Sequence, residues 1–427
     1  MRRWFALLFV VTSLLLDHIA AAADPVLKAG DRVAIVGDSI TEQKLYSKYV
    51  EAYLLASSGV PDLKMFQYGW SGERADGFAN RLENDCASFG PTVVTLCYGM
   101  NDGSYQPYNE QIGKTYETNM RRVLAGLDKL GVRAIVVGSP GAVDQSFFRP
   151  GQMMGSQPAH VAYNDNLAHL RDIDRRLAEE HKQRFANVHD AMFETMKKAQ
   201  EKLGPKYDVC GGDGFHPGPN GQLIMAYAFL KGLGVDGNIG EITIDLQGKA
   251  TAEGGHKVVG GTAGTAELES TRWPFCFEGD GKSSGSTRSI LPFLPFNEDL
   301  NRLTLKVKNI ESPKAKVTWG DASKEFTKEQ LTAGINLAAE FEKTPFDADF
   351  AKLIAAVGAK QAFETYMIKS VVTNFRNAPA DVKADPEVQA AQKAYAAALL
   401  ARQQKLDSAA RATLVPVKHT LTVTAVK

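Results

Sequence analysis

The chain has 427 residues, 44% of them hydrophobic, enough for two or three domains with a full core. Lysine plus arginine equals aspartate plus glutamate at 49 each, for a net charge of zero. That balance gives neither nucleic acid nor an anionic membrane an electrostatic claim as a partner.

In chain order, the first element is a targeting pattern. Arg2 and Arg3 precede the apolar run WFALLFVVTSLLL and then AAAD, which fits a secretory signal over residues 1–23, cleaved between Ala23 and Asp24. The run is too short to span a bilayer comfortably, and Asp17 interrupts its end. The expectation is an exported protein, secreted or periplasmic, with no stable membrane insertion after cleavage. Cys86, Cys97, Cys210 and Cys276 would be free to pair in such a compartment. Cys97 fits equally well as a small hydrophobe in a buried strand. No C-x-x-C or Cys/His cluster points to a metal.

From Arg32 to about residue 235, apolar runs alternate with helical periodicity. RVAIV (32–36) reads as a buried strand, followed by a helix at 44–57. LKMFQYG (63–69), TVVTLCYG (92–99) and RAIVVGSP (133–140) read as further strands, and FANVHD (185–190) as a short fifth. Helices lie between them, including 114–131, which Gly131 terminates. Strands that are apolar throughout and separated by helices predict a parallel sheet covered on both faces. Ligands bind such sheets beyond the carboxyl ends of the strands.

After about residue 238 the texture changes to Gly- and Thr-rich alternation, which predicts strands and turns. RLTLKVKNI and KAKVTWG read as a hairpin pair. Residues 345–412 are alanine-rich and helical, and HTLTVTAV (419–426) alternates like a strand. The expected division is a catalytic domain over 24–238 and a β-rich region over 239–427, whose last strand returns after the helical insertion.

Four blocks on the sheet's carboxyl edge carry the chemistry. They are GDS (Gly37–Ser39), YGWSGERA with Gly69 and Gly72, GMND (Gly99–Asp102), and DGFHPGPNG with Asp213 and His216. A serine hydroxyl becomes a nucleophile only when a base takes its proton, and an imidazole titrates near neutrality. Asp213, three residues before His216, can reach Nδ1 and fix the tautomer that presents Nε2 to Ser39. Ser39 alone would fit a helix cap just as well.

The four blocks in this order resemble the SGNH/GDSL hydrolases, over about residues 30–235. The resemblance implies a flavodoxin-like three-layer α/β/α fold and ester hydrolysis through an acyl-serine intermediate, with no cofactor. It also implies Ser39, Asp213 and His216 as the catalytic set. The oxyanion donors would be the N–H groups of Ser39 and Gly72 and the amide of Asn101, each worth about 3–4 kcal/mol. Asp38 and Asp102 are expected to shape the turns. An asparagine often opens the family's second block, where this chain has Gln67 and Tyr68. Gly69 is therefore an alternative donor, although the order W-S-G favours Gly72.

GKSSG (Gly281–Gly285) matches the G-x-S-x-G elbow, but no strand or helix is expected around it. Tyr105 and Tyr108 suit sugar stacking. Phe147, Phe148, Met153 and Met154 suit an acyl chain or loop packing. The expected substrate is an acylated, preferably acetylated, glycan, with a lipid or small ester as the alternative. A non-catalytic glycan-binding protein on the same fold is the competing class. The C-terminal region could be a glycan-binding module, a lid, a spacer or a scaffold, and Trp273 and Phe275 are expected in its core.

Overall fold

The computed structural model describes residues 26–426, so the expected signal segment lies outside the described residues. Strand β1 (Arg32–Gly37) is buried on both faces from Val33 onward, as an all-apolar run must be. With β2 (Lys64–Gln67), β3 (Val93–Cys97), β4 (Ala134–Gly138) and β5 (Arg184–Ala186) it forms a parallel sheet in the order β2-β1-β3-β4-β5. Alternate strand residues feed two cores. Val33, Ile35 and Val136 pack with helices α2 (Tyr46–Ala56), α6 (Val188–Leu203) and α7 (Pro219–Gly232). Ala34, Leu96 and Val137 pack with α3 (Ala75–Cys86), α4 (Glu110–Lys129) and part of α5 (Ala159–Glu180). This is the expected three-layer α/β/α architecture. The strand order reverses between β1 and β3, which opens a crevice at their carboxyl ends. A one-turn helix, α1 (Ser39–Glu42), starts there.

Two expectations are corrected. FANVHD is strand only to Ala186, because the Asn187 side chain accepts from Asp190 N–H and starts α6. RLTLKVKNI and KAKVTWG are not a hairpin. They form β10 (Arg302–Lys308) and β11 (Lys314–Trp319), which lie in different sheets.

The other strands of this region are β6 (Asn238–Asp245), β7 (Thr251–Glu253), β8 (His256–Gly260) and β9 (Thr265–Ser270). After β11 come β12 (Ala322–Thr327), β13 (Ile335–Asn336) and β14 (Val417–Val426). One sheet runs β8-β9-β14-β11-β12, all antiparallel; the other runs β13-β10-β6-β7, with β10 parallel to β6. Each strand alternates, and the buried residues of both sheets (Leu303, Leu305, Val317, Leu421) share one core. The last strand does return to the centre of its sheet.

The helical insertion contains α8 (Asp347–Tyr366) and α9 (Pro386–Arg411). It covers the open edge of the parallel sheet, where an exposed strand would otherwise offer unpaired backbone groups. Lys360 Nζ donates to Met65 O at 2.8 Å, and Glu364 Oε2 accepts from Gln67 N–H at 3.0 Å. Lys360 is fully buried and pairs with Glu51 at 3.0 Å and Glu364 at 2.6 Å. Gln403 of α9 donates to Glu364 at 2.7 Å. Burial pushes the Glu364 carboxyl up to about 7 even beside Lys360.

The two regions also share an interior. Tyr49 of α2 meets Phe275 edge-on, and Trp273 N–H donates to Ala56 O at 2.8 Å. Trp273 and Phe275 are buried as expected. All four cysteines are buried free thiols. Among the described residues no helix is long and apolar enough to cross a membrane.

Candidate active site

The site lies where β1 and β3 end. Asp38 caps α1 by accepting from Ile40 N–H at 2.9 Å, so Ser39 begins a helix directly off the strand. Ser39 Oγ lies 2.8 Å from His216 Nε2. The loop before α7 presents that ring. Asp213 Oδ1 accepts from the N–H groups of Phe215 (3.1 Å) and His216 (3.0 Å), an Asx turn. This leaves Oδ2 for His216 Nδ1 at 2.7 Å. Partial burial works to raise the Asp213 pKa, but the hydrogen bonds from His216 and the two backbone groups outweigh it and hold the carboxyl below its ordinary value. Ser39, Asp213 and His216, expected together from sequence, are thus in hydrogen-bonded contact.

Asn101 follows β3. Its Nδ2 donates to Glu73 O at 3.0 Å and approaches Asp38 Oδ2 at 3.4 Å, while its Oδ1 accepts from Tyr105 OH at 2.9 Å. Tyr105 therefore fixes which end of the amide is the donor. Ser104 and Tyr105 hold left-handed φ values of 58° and 52°, which costs about 1–2 kcal/mol each. Stacking offsets this strain, with the Tyr105 ring 5.2 Å from Tyr163 and 5.3 Å from Phe215. Tyr105, expected as a substrate-facing ring, carries this second task, which residue type alone did not signal. Tyr108 stacks on His169 with centroids 3.9 Å apart. Phe148 is buried against Tyr105, Tyr163 and Phe215, so it packs its loop.

Gly69 and Gly72 differ in kind. A Cβ on Gly69 would lie 2.3 Å from Glu42 N, so that glycine allows the loop to pack on α1. Gly72 has φ +73° and open space where a Cβ would point. An unobstructed backbone is what close approach to a ligand requires.

Asp102 accepts from Ala75 N–H at 3.0 Å and Gly99 N–H at 3.1 Å, tying the loop after β3 to α3. Burial pushes Asp38 up to about 7, opposed by the Ile40 bond and reinforced by Asp102 and Glu73. Burial likewise pushes Asp102 up to about 6, against its two backbone bonds. Both carboxyls act as structural acceptors between loops. Ser283 of GKSSG sits in a turn and accepts from Gly285 N–H, with neither strand nor helix around it.

Contacts from far along the chain complete the site. Glu42 of α1 accepts from Ser71 and from Lys369, which lies 327 positions away. Sequence carried no signal for this pairing.

With this geometry in hand, residues 35–224 match the model of the GDSL-like lipase/acylhydrolase family. Among solved structures the chain is similar to a gut microbial diltiazem-metabolizing enzyme, with 21% identity and a TM-score of 0.71 over 95% of this chain and 99% of that one. It also resembles a catalytic mutant of an acetylxylan esterase from Geobacillus stearothermophilus (21% identity, 49% of this chain, 96% of that chain, TM-score 0.39). A third is an alpha/beta hydrolase enzyme from the metagenome of Lake Arreo, Spain (22% identity, 49% and 98%, TM-score 0.40). No curated protein matched the sequence. The first likeness spans both regions, so their joint architecture recurs as a unit.

Proposed function

Residues 35–224 belong to the GDSL-like lipase/acylhydrolase family and the chain is a carboxylic ester hydrolase, and from that premise we propose that it works through an acyl-serine intermediate on Ser39. The observation that carries this reading is the relay from Ser39 Oγ to His216 Nε2 (2.8 Å) and from Nδ1 to Asp213 (2.7 Å). Ser39 Oγ attacks the ester carbonyl carbon while its proton passes to Nε2. The carbonyl oxygen becomes an oxyanion between Ser39 N–H, Gly72 N–H and Asn101 Nδ2. His216 returns the proton to the departing alkoxide, leaving an acyl-serine. Water then attacks that ester with His216 as base, and collapse releases the acid and Ser39. Asp213 holds the imidazole tautomer and stabilises the imidazolium. The sequence requires no metal or organic cofactor.

The substrate we favour is an O-acetylated or otherwise O-acylated glycan. Half-buried Tyr105 and Phe215 stand beside His216 as aromatic faces, and Phe148 is occupied in the core rather than lining an acyl channel. The working division is a catalytic domain over 24–238 with a C-terminal region over 239–427. We read the N-terminal pattern as an export signal, which places the substrate outside the cytoplasm.

The test is hydrolysis of p-nitrophenyl acetate and labelling by a fluorophosphonate probe, for wild type and Ser39→Ala. Wild type should label and turn over, and Ser39→Ala should lose labelling and at least about 10⁴-fold in kcat. Full activity in Ser39→Ala would sink the serine mechanism, and an inert wild type would favour a binding protein. A screen of acetylated polysaccharides against lipid esters then separates the substrate classes.

A further inference from the structure

The insertion that covers the sheet edge also reaches into the site. α8 does not end at Tyr366 but continues through Met367–Val372 as a π-helix. That wide turn is rare and recurs at functional sites. Lys369 projects from it. Its ammonium donates to both carboxylate oxygens of Glu42, each at 2.9 Å, and stands 5.0 Å from the Trp70 ring centroid. Glu42 is the last residue of the helix that Ser39 begins. Its Oε2 also accepts from Ser71 N–H at 2.5 Å and from Ser71 Oγ at 2.6 Å. Ser71 immediately precedes Gly72.

One carboxylate therefore joins the helix of the nucleophile to the loop of the second oxyanion donor, and one ammonium neutralises it. The same segment holds the loop's root. Thr365 Oγ1 donates to Gln67 Oε1 at 3.2 Å, and Gln67 Nε2 donates to Thr41 O at 2.7 Å. An exposed ion pair would contribute little. This one is largely shielded, with the Lys369 side chain 28% and the Glu42 side chain 19% exposed. Partial burial works to raise the Glu42 pKa, but the bonds from Ser71 and Lys369 outweigh it and hold it below its ordinary value.

We propose that Lys369 is a positioning residue for ester hydrolysis: through Glu42 and Ser71 it holds the Gly72 N–H in register with Ser39. The C-terminal insertion is then part of the active centre rather than an appended module. This rests on the reading of Ser39 as nucleophile and Gly72 as donor.

The test compares Lys369→Met, which keeps the stem over Trp70 and removes the charge, with Lys369→Arg, in the full chain and with Ser39→Ala as control. Full loss of one oxyanion donor costs about 10²–10³-fold, so a loosened donor should cost Lys369→Met about 10–100-fold in kcat on p-nitrophenyl acetate. KM should stay within about twofold and Tm within a few degrees, and Lys369→Arg should recover most of the loss, because it restores the charge-assisted bonds. If Lys369→Met does not fold, Glu42→Gln decides: it still accepts from Ser71, loses the pairing with Lys369, and should lower kcat by about tenfold without raising KM.

The proposal is overturned by a Lys369→Met or Glu42→Gln enzyme with wild-type kcat beside an inactive Ser39→Ala. A loss that appears only in KM, or that arginine does not recover, overturns it equally. If Ser39→Ala keeps wild-type activity, the nucleophile assignment itself has failed and this proposal falls with it.

Discussion

Asp213→Asn is the sharpest probe of the relay, because it changes one atom and almost no volume. Asp213 Oδ1 serves two backbone N–H groups, at 3.1 and 3.0 Å, and Oδ2 serves His216 Nδ1 at 2.7 Å. An asparagine keeps its oxygen on the two backbone donors and turns its NH₂ toward Nδ1. Nδ1 must then accept, so the neutral ring carries its proton on Nε2. That tautomer cannot take the Ser39 proton. The variant also removes the carboxylate that stabilises the imidazolium. Opposite charges about 4 Å apart gain roughly 1 kcal/mol in water and roughly 4 near a protein surface. The Asp213 side chain is 46% exposed, which favours the lower figure. With about 2–3 kcal/mol to break the new Asn bond and restore the productive tautomer, the total is about 3–4 kcal/mol, a loss of about 10²–10³ in kcat. The assay is kcat on p-nitrophenyl acetate, measured through the range where histidine titrates, with Tm as the folding control. A folded Asp213→Asn enzyme within about threefold of wild type would refute the tautomer argument, since that argument requires at least 10²-fold.

Two further outcomes follow from the geometry. Gly69→Ala puts a Cβ 2.3 Å from Glu42 N and should lower Tm well beyond Gly72→Ala, which meets open space and carries only the left-handed backbone cost of about 1–2 kcal/mol; equal Tm losses would contradict the packing assigned to Gly69. Asp38 has a folded-state pKa of about 7 against an ordinary 3.8, so the folded state holds the proton more tightly. Its contribution is fully present below the ordinary value and is lost as pH rises toward 7, up to about 4 kcal/mol for about three units. Denaturant unfolding of Asp38→Asn across that window should lack this decline, and an unchanged pH profile would show that Asp38 ionises freely in the fold.

Much of the parallel domain was legible because its rules are local. Val33–Val36, Val93–Leu96 and Ile135–Val137 are apolar on both faces, which only a covered sheet explains. Aspartate and serine after a glycine mark the turn that starts α1, and the i, i+3 spacing of Asp213 and His216 fits one Asx turn. The errors have equally physical causes. Alternation in RLTLKVKNI and KAKVTWG shows that each strand has one buried face, not which strand lies beside it. Asn187 ended β5 early because a side-chain cap competes with strand pairing.

Sequence by itself determined the parallel α/β core, the Ser, Asp and His at its carboxyl edge, and the β-rich tail interrupted by helices, because periodicity, caps and short spacings act within a turn or a strand. Only the tertiary structure decided that β10 and β11 part company, that Gly69 packs while Gly72 stays open, and that Tyr105 orients the Asn101 amide. It alone brought Lys360 and Glu364 to the edge of β2 and Lys369 to Glu42. These are contacts between charged or polar groups hundreds of residues apart, and each forms only where the folded chain removes water from around it.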